Sequence, residues 1–385
     1  MTAGAPPTIP PRVPVLRPKL PDRAALAPYL DRIDSARWYS NRGPLMVEAE
    51  ARLAAHFGLD PAHIVLVTSG TMGLTVALSA LGARPGGACL MPSWTFAGSP
   101  AAAATAGLVP HFWDVDPALW ALTPDIAAEA MATLAEPPAA VMPVAPFGAP
   151  LDRAAWDAFT ARTGTPVVID AAAAFDATTE VDGFRPGPTP QVISLHATKA
   201  FGIGEGGLVL STDTELMDRV RQAANFGFQD KPEAEIMGWN AKLSEYACAV
   251  LLAMLDQWPE RRTAWARRTD WYIDALAPID GVTLAPGYGD GWISSYCCVR
   301  VDDAPALARR LADQGIETRP WWRQGCHRQP AYAGQPRGPL PNTEALAATT
   351  LGLPFSIDLG PETVGQVAAA VARALDEALS ETRPR

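Results

Sequence analysis

The chain has 385 residues, of which 48% are hydrophobic and 19% are charged. At about 150 residues per domain, this length corresponds to roughly two or three domains, or to one large domain with a smaller companion. A hydrophobic fraction of this size excludes global disorder of the chain. The formal net charge of −10 gives no electrostatic reason to expect nucleic acid or an anionic membrane as a partner.

The sequence has five cysteines, which is an odd number, and it has no C-x-x-C motif. We therefore expect no disulfide framework and no metal site, and a reducing cytoplasm fits this pattern best. The N-terminus lacks a basic region followed by an apolar one, so no signal peptide is predicted. The longest apolar stretch, residues 96–113, is interrupted by serine, threonine and proline, and no membrane span is predicted there.

The predicted elements begin after a proline-rich arm over residues 1–21, which holds seven prolines and is expected to be extended. Short apolar runs then alternate with segments of helical spacing. Strands are predicted at 64–67, 88–91, 109–113, 139–143 and 166–169, and helices at 45–57, 70–81, 123–134 and 152–163. This alternation predicts a mostly parallel sheet covered by helices.

The last part of the chain has a different pattern. A long helix is predicted over 243–276, with Ser244 and Glu245 near its start. Strands at 282–284, 292–301 and 316–319 and helices at 304–312 and 362–379 follow. We therefore predict an α/β fold with a large domain over residues 22–255 and a smaller α+β domain over residues 256–385.

The most informative stretch is V-I-S-L-H-A-T-K-A-F-G-I-G-E-G-G-L-V-L at 192–210, where an apolar run leads into Lys199 and a glycine-rich turn. A lysine shielded from water there can present an uncharged amine, the nucleophile of Schiff-base chemistry; a solvated surface lysine is the plain alternative. The G-x-G-x-x-G at 202–207 matches a dinucleotide fingerprint, but it precedes a predicted strand instead of a helix. We reject a nicotinamide dehydrogenase on that ground.

Two upstream motifs complement this lysine. Asp170 ends the apolar run V-V-I-D, at the sheet edge where α/β folds hold ligands, and it can pair with a pyridinium nitrogen or simply cap the next helix. The run T-S-G-T at 68–71 lies between a strand and a helix, and it predicts a phosphate cradle or an ordinary N-cap. Together, a cradle, a buried carboxylate and an imine-forming lysine are what a pyridoxal 5'-phosphate (PLP) enzyme requires.

The chain resembles the DegT/DnrJ/StrS family of PLP-dependent sugar aminotransferases, which have the aspartate aminotransferase fold (fold type I). The matching motifs extend over nearly the whole chain: Y-S-N-R-G-P-L (39–45), T-S-G-T-M-G-L (68–74), P-S-W-T-F (92–96), V-I-D-A-A (168–172), S-L-H-A-T-K (194–199), G-E-G-G (204–207), G-W-N-A-K-L-S-E (238–245) and C-H-R-Q-P-A-Y (326–332). The run S-L-H-A-T-K followed by G-E-G-G, at this distance after D-A-A, is the most specific of them.

The resemblance implies roles for individual residues. Lys199 would form the Schiff base and move the proton, Asp170 would bind the pyridine nitrogen, and His196 would lie near the cofactor. The remaining cofactor contacts implied are Phe96, stacked on the ring, with Gly70, Thr71, Ser194 and, from the neighbouring subunit of a homodimer, Asn240 at the phosphate. The candidates for substrate contact are Trp94, Glu245 and His327, although Glu245 also suits a helix N-cap and the two histidines a structural role.

One position departs from the family pattern. The family has glutamine or histidine three residues after the ring-binding aspartate, whereas this chain has Ala173. The group that usually lies near the 3-hydroxyl of the cofactor is therefore absent or is supplied from elsewhere. Since Lys199 is present, the resemblance favours transamination over the dehydration carried out by relatives with histidine at that position.

The resemblance predicts transfer of an amino group from L-glutamate to a keto group of a nucleotide-linked deoxysugar. Such a reaction belongs to the biosynthesis of amino sugars, lipopolysaccharide or secondary metabolites. A keto-cyclitol is the nearest alternative acceptor. A non-catalytic regulator with the same fold is an alternative of another class, which the intact Lys199 and Asp170 disfavour, because a binding module needs no imine-forming amine.

Overall fold

The computed structural model describes residues 13–229 and 231–382. The helices are α1 (Arg23–Ala36), α2 (Pro44–Phe57), α3 (Gly70–Ala80), α4 (Gly98–Thr105), α5 (Pro124–Thr133), α6 (Arg153–Thr163), α7 (Ala177–Glu180), α8 (Thr214–Ala224), α9 (Glu245–Leu276), α10 (Ala304–Asp313), α11 (Pro341–Thr349) and α12 (Pro361–Thr382). The strands are β1 (Ile64–Val67), β2 (Ala88–Pro92), β3 (Val109–Trp113), β4 (Ala140–Val141), β5 (Ile169–Asp170), β6 (Gln191–Ser194), β7 (Gly207–Leu210), β8 (Thr283–Leu284), β9 (Cys297–Arg300) and β10 (Thr350–Leu353).

The central sheet is mostly parallel, as the sequence predicts. A four-stranded sheet has the order β1-β7-β6-β5, and a three-stranded sheet has the order β3-β2-β4. Parallel bridges from Val141 to Val167 and from Val144 to Asp170 join the two into one surface. Strand β7 is antiparallel to both of its neighbours, whereas the pairs β5–β6, β2–β3 and β2–β4 are parallel.

The buried strands explain why the sheet lies at the centre. All four residues of β1 and of β7 are buried, which is typical of strands covered on both faces. Helix α3 packs against β6 and β7, and its Gly73 approaches Val192 so closely that a Cβ there would lie 2.7 Å from the valine side chain. This close packing fixes the N-terminus of α3 beside the end of β6.

The C-terminal part contains a second, antiparallel sheet of order β10-β9-β8, with α10 packed against β10 and α12 packed against α10 and α9. The strand predicted over 292–301 is shorter, because residues 294–296 bond through side chains to other loops before β9 begins at Cys297. The strand predicted over 316–319 contributes only two isolated bridges, from Ile316 and from Arg319. The division at residue 255 stays a prediction, and it falls inside the continuous helix α9.

The proline-rich arm is described from Val13 onward, and its first twelve residues lie outside the described part of the chain. Val13 bridges to Ile316, and Val15 is held by Glu317 and by the backbone of Phe355. This part of the arm is extended, as predicted, and lies along the C-terminal sheet. Within residues 13–229 and 231–382, we find no helix with the length and apolarity needed to cross a bilayer.

Candidate active site

A cavity of about 430 Å³ lies at the carboxyl ends of the parallel strands. Strand β5 ends at Asp170 and strand β6 at Ser194, and both residues line this cavity. The start of α3 forms another wall, through Gly70 and Thr71, and the loop after β6 brings in Lys199. The fold therefore gathers residues that are far apart in sequence at the sheet edge where α/β proteins hold ligands.

Asp170 is a buried carboxylate, with 5% of its surface exposed. One of its oxygens accepts a hydrogen bond of 2.6 Å from the Ser99 hydroxyl, and the other accepts one of 3.1 Å from the backbone N–H of Ala172. Burial raises the pKa of Asp170, while the two hydrogen bonds and the charge of Lys199 act to lower it. A cationic partner in the cavity would favour the ionised carboxylate further.

The N-terminus of α3 forms a backbone cradle. Ser69 caps the helix by accepting from the N–H of Met72, and the N–H groups of the first helical turn have no partner within the helix. A Cβ at Gly70 would lie 2.9 Å from the Cβ of Ser194, so glycine keeps this corner open. Free N–H groups, a helix dipole and the Ser194 hydroxyl suit a phosphate. The residues present therefore fit the phosphate end of PLP.

Lys199 follows a tight turn in the loop between β6 and β7. Its Nζ donates a hydrogen bond of 2.9 Å to the hydroxyl of Tyr296. The turn is closed by backbone bonds from Lys199 to His196 and from Ala197 to Gly204. Because this amine and Asp170 line the same cavity as the cradle, a single small ligand can reach all three.

His196 also lines the cavity, three residues before the lysine. Its Nδ1 lies 2.8 Å from the Thr198 hydroxyl, and its Nε2 lies 3.6 Å from a Glu205 carboxylate oxygen. The imidazole is thus oriented by neighbours of the same loop. The structure brings it together with the predicted cofactor residues.

The two aromatic residues of the P-S-W-T-F motif have different positions. Phe96 lines the cavity and is 67% exposed, a rare exposure for a phenylalanine without a partner. Trp94 is 2% exposed and packs edge-to-face on Trp322 and on Phe147. It is not among the cavity-lining residues and packs in the aromatic wall behind the cavity, and the predicted substrate contact of Trp94 stays a prediction.

Glu245 caps a helix, which is the alternative role that the sequence suggests for it. Its two carboxylate oxygens accept the backbone N–H groups of Leu45 and Met46, at 2.8 and 3.0 Å. These are free donors of the first turn of α2, so Glu245 caps a helix distant in sequence, while Ser244 caps its own helix. The side chain is 1% exposed and does not line the cavity of its own chain, and the predicted substrate contact of Glu245 stays a prediction.

His327 is buried as well, with 3% exposure. Its Nδ1 lies 2.7 Å from the Ser93 hydroxyl. Burial, together with the nearby Arg328 and Arg337, lowers the pKa of His327. His327 thus links the end of β2 to the C-terminal part and lies outside the cavity lining, and its predicted position near the substrate mouth stays a prediction.

Asn240 is exposed and does not line the cavity of its own chain. Its backbone bridges to Asn225, and the next residue, Ala241, accepts from the N–H of Thr68. The contact with a neighbouring subunit predicted for Asn240 stays a prediction. Its exposure leaves the amide available for such a contact.

Sequence reasoning missed several residues of the cavity. Ser99 holds Asp170, Tyr296 holds Lys199, and Arg319 adds a guanidinium to the wall. Trp321 and Trp322 form an aromatic surface beside them. The tryptophan pair and the arginine stand together in the sequence as R-P-W-W at 319–322, which is a visible signal, whereas nothing local singles out Ser99 or Tyr296.

A mostly parallel sheet with a helix-end cradle, a buried aspartate and a lysine in one cavity defines a PLP-dependent enzyme of fold type I. The model of the DegT/DnrJ/EryC1/StrS aminotransferase family matches residues 22–372. The chain belongs to this family. It is a PLP-dependent aminotransferase.

Individual relatives agree with this assignment. The chain is 33% identical over 347 residues to the "Erythromycin biosynthesis sensory transduction protein EryC1" of Saccharopolyspora erythraea, covering 88% of this chain and 92% of the relative. It is 33% identical over 332 residues to the dTDP-3-amino-3,4,6-trideoxy-alpha-D-glucose transaminase of Streptomyces venezuelae, covering 84% of each.

Solved structures have the same fold. The structure of DesI in the presence of its TDP-sugar product superposes with a TM-score of 0.85 at 34% identity, covering 98% of this chain and 97% of that chain. The fold type I architecture predicted from the sequence is thereby confirmed.

Proposed function

We propose that this aminotransferase moves an amino group from L-glutamate to a keto group of a nucleotide-linked deoxysugar. The observation that carries the proposal is the composition of the cavity wall beyond the cofactor residues. Trp321 and Trp322 offer flat apolar faces, and Arg319 offers a guanidinium that is half exposed. A deoxysugar has an apolar face for the tryptophans, and a diphosphate is a bidentate partner for arginine.

Each of the cavity residues has its own role in this reaction. The cradle of Gly70, Thr71 and Ser194 binds the phosphate, and Asp170 keeps a positive charge on the ring nitrogen. Lys199 would hold the cofactor through its amine and would move the proton between the substrate carbon and the cofactor carbon. When bound, PLP supplies an electron sink that stabilises negative charge next to the amine nitrogen. Exposed Phe96 gives the ring a stacking surface.

The amino donor and the acceptor both carry negative charge. The cations that line the cavity are Lys199 and Arg319, and the anions are Asp170 and Glu205. Because Lys199 is used for bonding the cofactor and moving the proton, Arg319 is the guanidinium, among the described residues that line the cavity, that can bind a donor carboxylate or an acceptor diphosphate. A keto-cyclitol without phosphate gains nothing from this guanidinium, which favours the nucleotide-linked sugar as the acceptor.

The experiment offers the enzyme a panel of acceptors with ¹⁵N-labelled L-glutamate. The panel contains TDP-linked keto-deoxysugars, the same sugars without nucleotide, and keto-cyclitols. The proposal expects ¹⁵N in the TDP-linked products, with at least tenfold lower kcat/KM for the sugars without nucleotide and for Arg319→Gln, about the value of one charge-assisted bond. Preference for a free cyclitol would overturn the acceptor while leaving the amine transfer intact.

We further propose that the enzyme acts as a homodimer with shared active sites. Exposed aromatic and apolar side chains support this, since a monomer rarely leaves so many in water: Trp38, Tyr39, Val47, Phe226, Met237 and Tyr246. Tyr39 and Tyr246 stack on each other, so part of this surface is continuous. Asn240 is exposed next to the cradle strand and is available to a second copy.

Mixing two inactive variants tests the shared site. Lys199→Ala and Asn240→Ala are each expected to be impaired. If Asn240 serves the partner, a mixed dimer has one site with both residues intact, and mixing restores activity. Absence of any recovery, with mixed dimers present by mass spectrometry, would contradict a contribution of Asn240 across the interface.

We propose a cytoplasmic location. The five cysteines are all free and all buried, which suits a reducing compartment. Separation of cell fractions with an antibody against the enzyme tests this, and recovery in the membrane or extracellular fraction would contradict it.

A further inference from the structure

A phenol touches the reacting nitrogen of the site. The Tyr296 hydroxyl accepts a hydrogen bond of 2.9 Å from Lys199 Nζ, and only 8% of the tyrosine surface is exposed. Its ring lies against Trp321, with centroids 4.6 Å apart, and edge-on to Phe147 at 6.1 Å. The phenol is therefore fixed in direction and points its hydroxyl at the amine.

The segment that carries Tyr296 is attached directly to the lysine loop. The Ser295 hydroxyl accepts from the backbone N–H of Ala200, at 2.9 Å. The Ser294 hydroxyl donates to the carbonyl of Phe147 and accepts from the N–H of Tyr296, at 2.9 and 3.0 Å. These bonds fix the position of the segment that carries Tyr296 relative to the lysine loop. The contact between Lys199 Nζ and the phenol is therefore supported by the surrounding backbone.

The neighbouring wall is poor in polar side chains. The three residues after Asp170 are alanines, including Ala173. Of the residues described as lining the cavity, Tyr296 is the one that carries a phenol. A polar group next to the amine thus comes from the segment before β9.

We propose that Tyr296 is the positioning residue for the Lys199 amine whenever that amine is not bonded to the cofactor. In the capture step, the neutral amine attacks the aldehyde carbon, and a C=N bond replaces the C=O bond. The aldehyde oxygen leaves as water with the two protons of the amine. A hydroxyl that accepts one N–H bond fixes the amine and leaves the nitrogen lone pair free to attack.

The test measures cofactor capture and needs no sugar substrate, so it is independent of the acceptor proposed above. Cofactor-free Tyr296→Phe is mixed with PLP, and the visible absorbance of the captured cofactor is followed, with borohydride trapping as a second readout. Binding of pyridoxamine phosphate, which forms no bond to lysine, is measured beside it. The control is Tyr29→Phe, which also loses a hydroxyl bonded to a charged group, Asp256, but away from the cavity.

We expect capture by Tyr296→Phe to be slower by about tenfold, the value of one hydrogen bond to an ionisable group. Affinity for pyridoxamine phosphate stays within about twofold of the unmodified protein, and the control behaves normally. Ser295→Ala, which keeps the phenol but frees Ala200, slows capture less. Capture of PLP at the normal rate would overturn the proposal, because the phenol would then have no role in positioning the amine. A loss of affinity for pyridoxamine phosphate equal to the loss of capture rate would also overturn it, because the phenol would then serve only to shape the cavity.

Discussion

The hydroxyl of Ser99 donates a hydrogen bond of 2.6 Å to Asp170, although the two residues are 71 positions apart. The hydroxyl groups of Ser99 and Thr95 are 2.7 Å apart, so the serine is itself oriented. Ser99 lies in the first turn of α4, and Asp170 ends β5. The helix thus holds the carboxylate that we propose as the partner of the ring nitrogen of the cofactor.

Loss of this hydroxyl should weaken cofactor retention. In Ser99→Ala, the carboxylate loses a donor that favours its ionised form, which raises the pKa of Asp170 further and weakens its pairing with a cationic ring. We expect PLP affinity to fall roughly tenfold, the value of a hydrogen bond to a charged group. Equilibrium dialysis measures it, with Thr105→Ala as the control, since this hydroxyl bonds only within the same helix. Equal affinities in the two variants would contradict the role of Ser99.

Asp170→Asn should separate cofactor binding from folding. Burial disfavours the charged form and raises the pKa of Asp170 above the ordinary value of 3.8 in the folded, cofactor-free protein. The contribution of this group to stability is therefore full below pH 3.8 and is lost as the pH rises through the raised pKa. Asparagine does not titrate, and its carbonyl oxygen can still accept from the N–H of Ala172, whereas its NH2 group can only donate, so the bond with the Ser99 hydroxyl has to reverse direction.

We therefore expect the unfolding temperature of cofactor-free Asp170→Asn to rise relative to the unmodified protein as the pH increases through that window. At neutral pH, its PLP affinity falls strongly, because the ring nitrogen loses its counter-charge. Thermal unfolding at a series of pH values measures the first effect and dialysis the second. If the difference in unfolding temperature between the two proteins does not change with pH, burial of the Asp170 carboxylate does not affect the stability of the fold.

Gly70→Ala should block the backbone cradle that we propose for the phosphate. The added methyl group would lie 2.9 Å from the Cβ of Ser194, a contact that requires backbone movement or loss of the cradle geometry. We expect PLP affinity to fall by at least tenfold, since anion binding at a helix terminus needs close backbone approach. Gly183→Ala is the control, because its Cβ meets open space. Retention of PLP by both variants would place the phosphate elsewhere.

Glu245→Ala should destabilise the fold without changing substrate affinity. Two backbone donors of α2, at Leu45 and Met46, lose their acceptor. We expect a loss of about 1–3 kcal/mol in the free energy of unfolding, as for a buried cap. Urea unfolding measures the loss, with Glu129→Ala on α5 as a neutral control. A raised KM at unchanged stability would restore the substrate role first expected for Glu245.

The central sheet was predictable because its strands are short apolar runs separated by helical segments. The segments at 64–67 and 109–113 correspond to β1 and β3 over their full length. Helix α1 was not predictable in this way, because Pro28 lies inside it and only Ile33 of its residues is buried. The spacing of α8 was visible, with Leu216, Met217 and Val220 on one buried face, but we did not predict this helix.

The site was predictable where a local motif carries the chemistry. Asp170 ends a strand, Lys199 and the cradle at Gly70 each follow one, and the strand order brings these strand ends to one cavity. Ser99 and Tyr296 act through single hydrogen bonds over 71 and 97 positions, for which a sequence contains no local sign. Glu245 and His327 stand in family motifs, and the contacts that the structure shows for them, with Leu45 and with Ser93, could not be predicted from those motifs.

The most direct test of the account is the absorbance of the PLP-loaded protein before and after addition of L-glutamate, in the unmodified chain and in Lys199→Ala. We expect glutamate to convert the visible absorbance of the cofactor to that of its amine form, with one 2-oxoglutarate released for each site, and we expect Lys199→Ala to show no such conversion on the same timescale. An unmodified protein whose absorbance no amino acid changes, or a Lys199→Ala variant that converts as fast, would contradict amine transfer at Lys199.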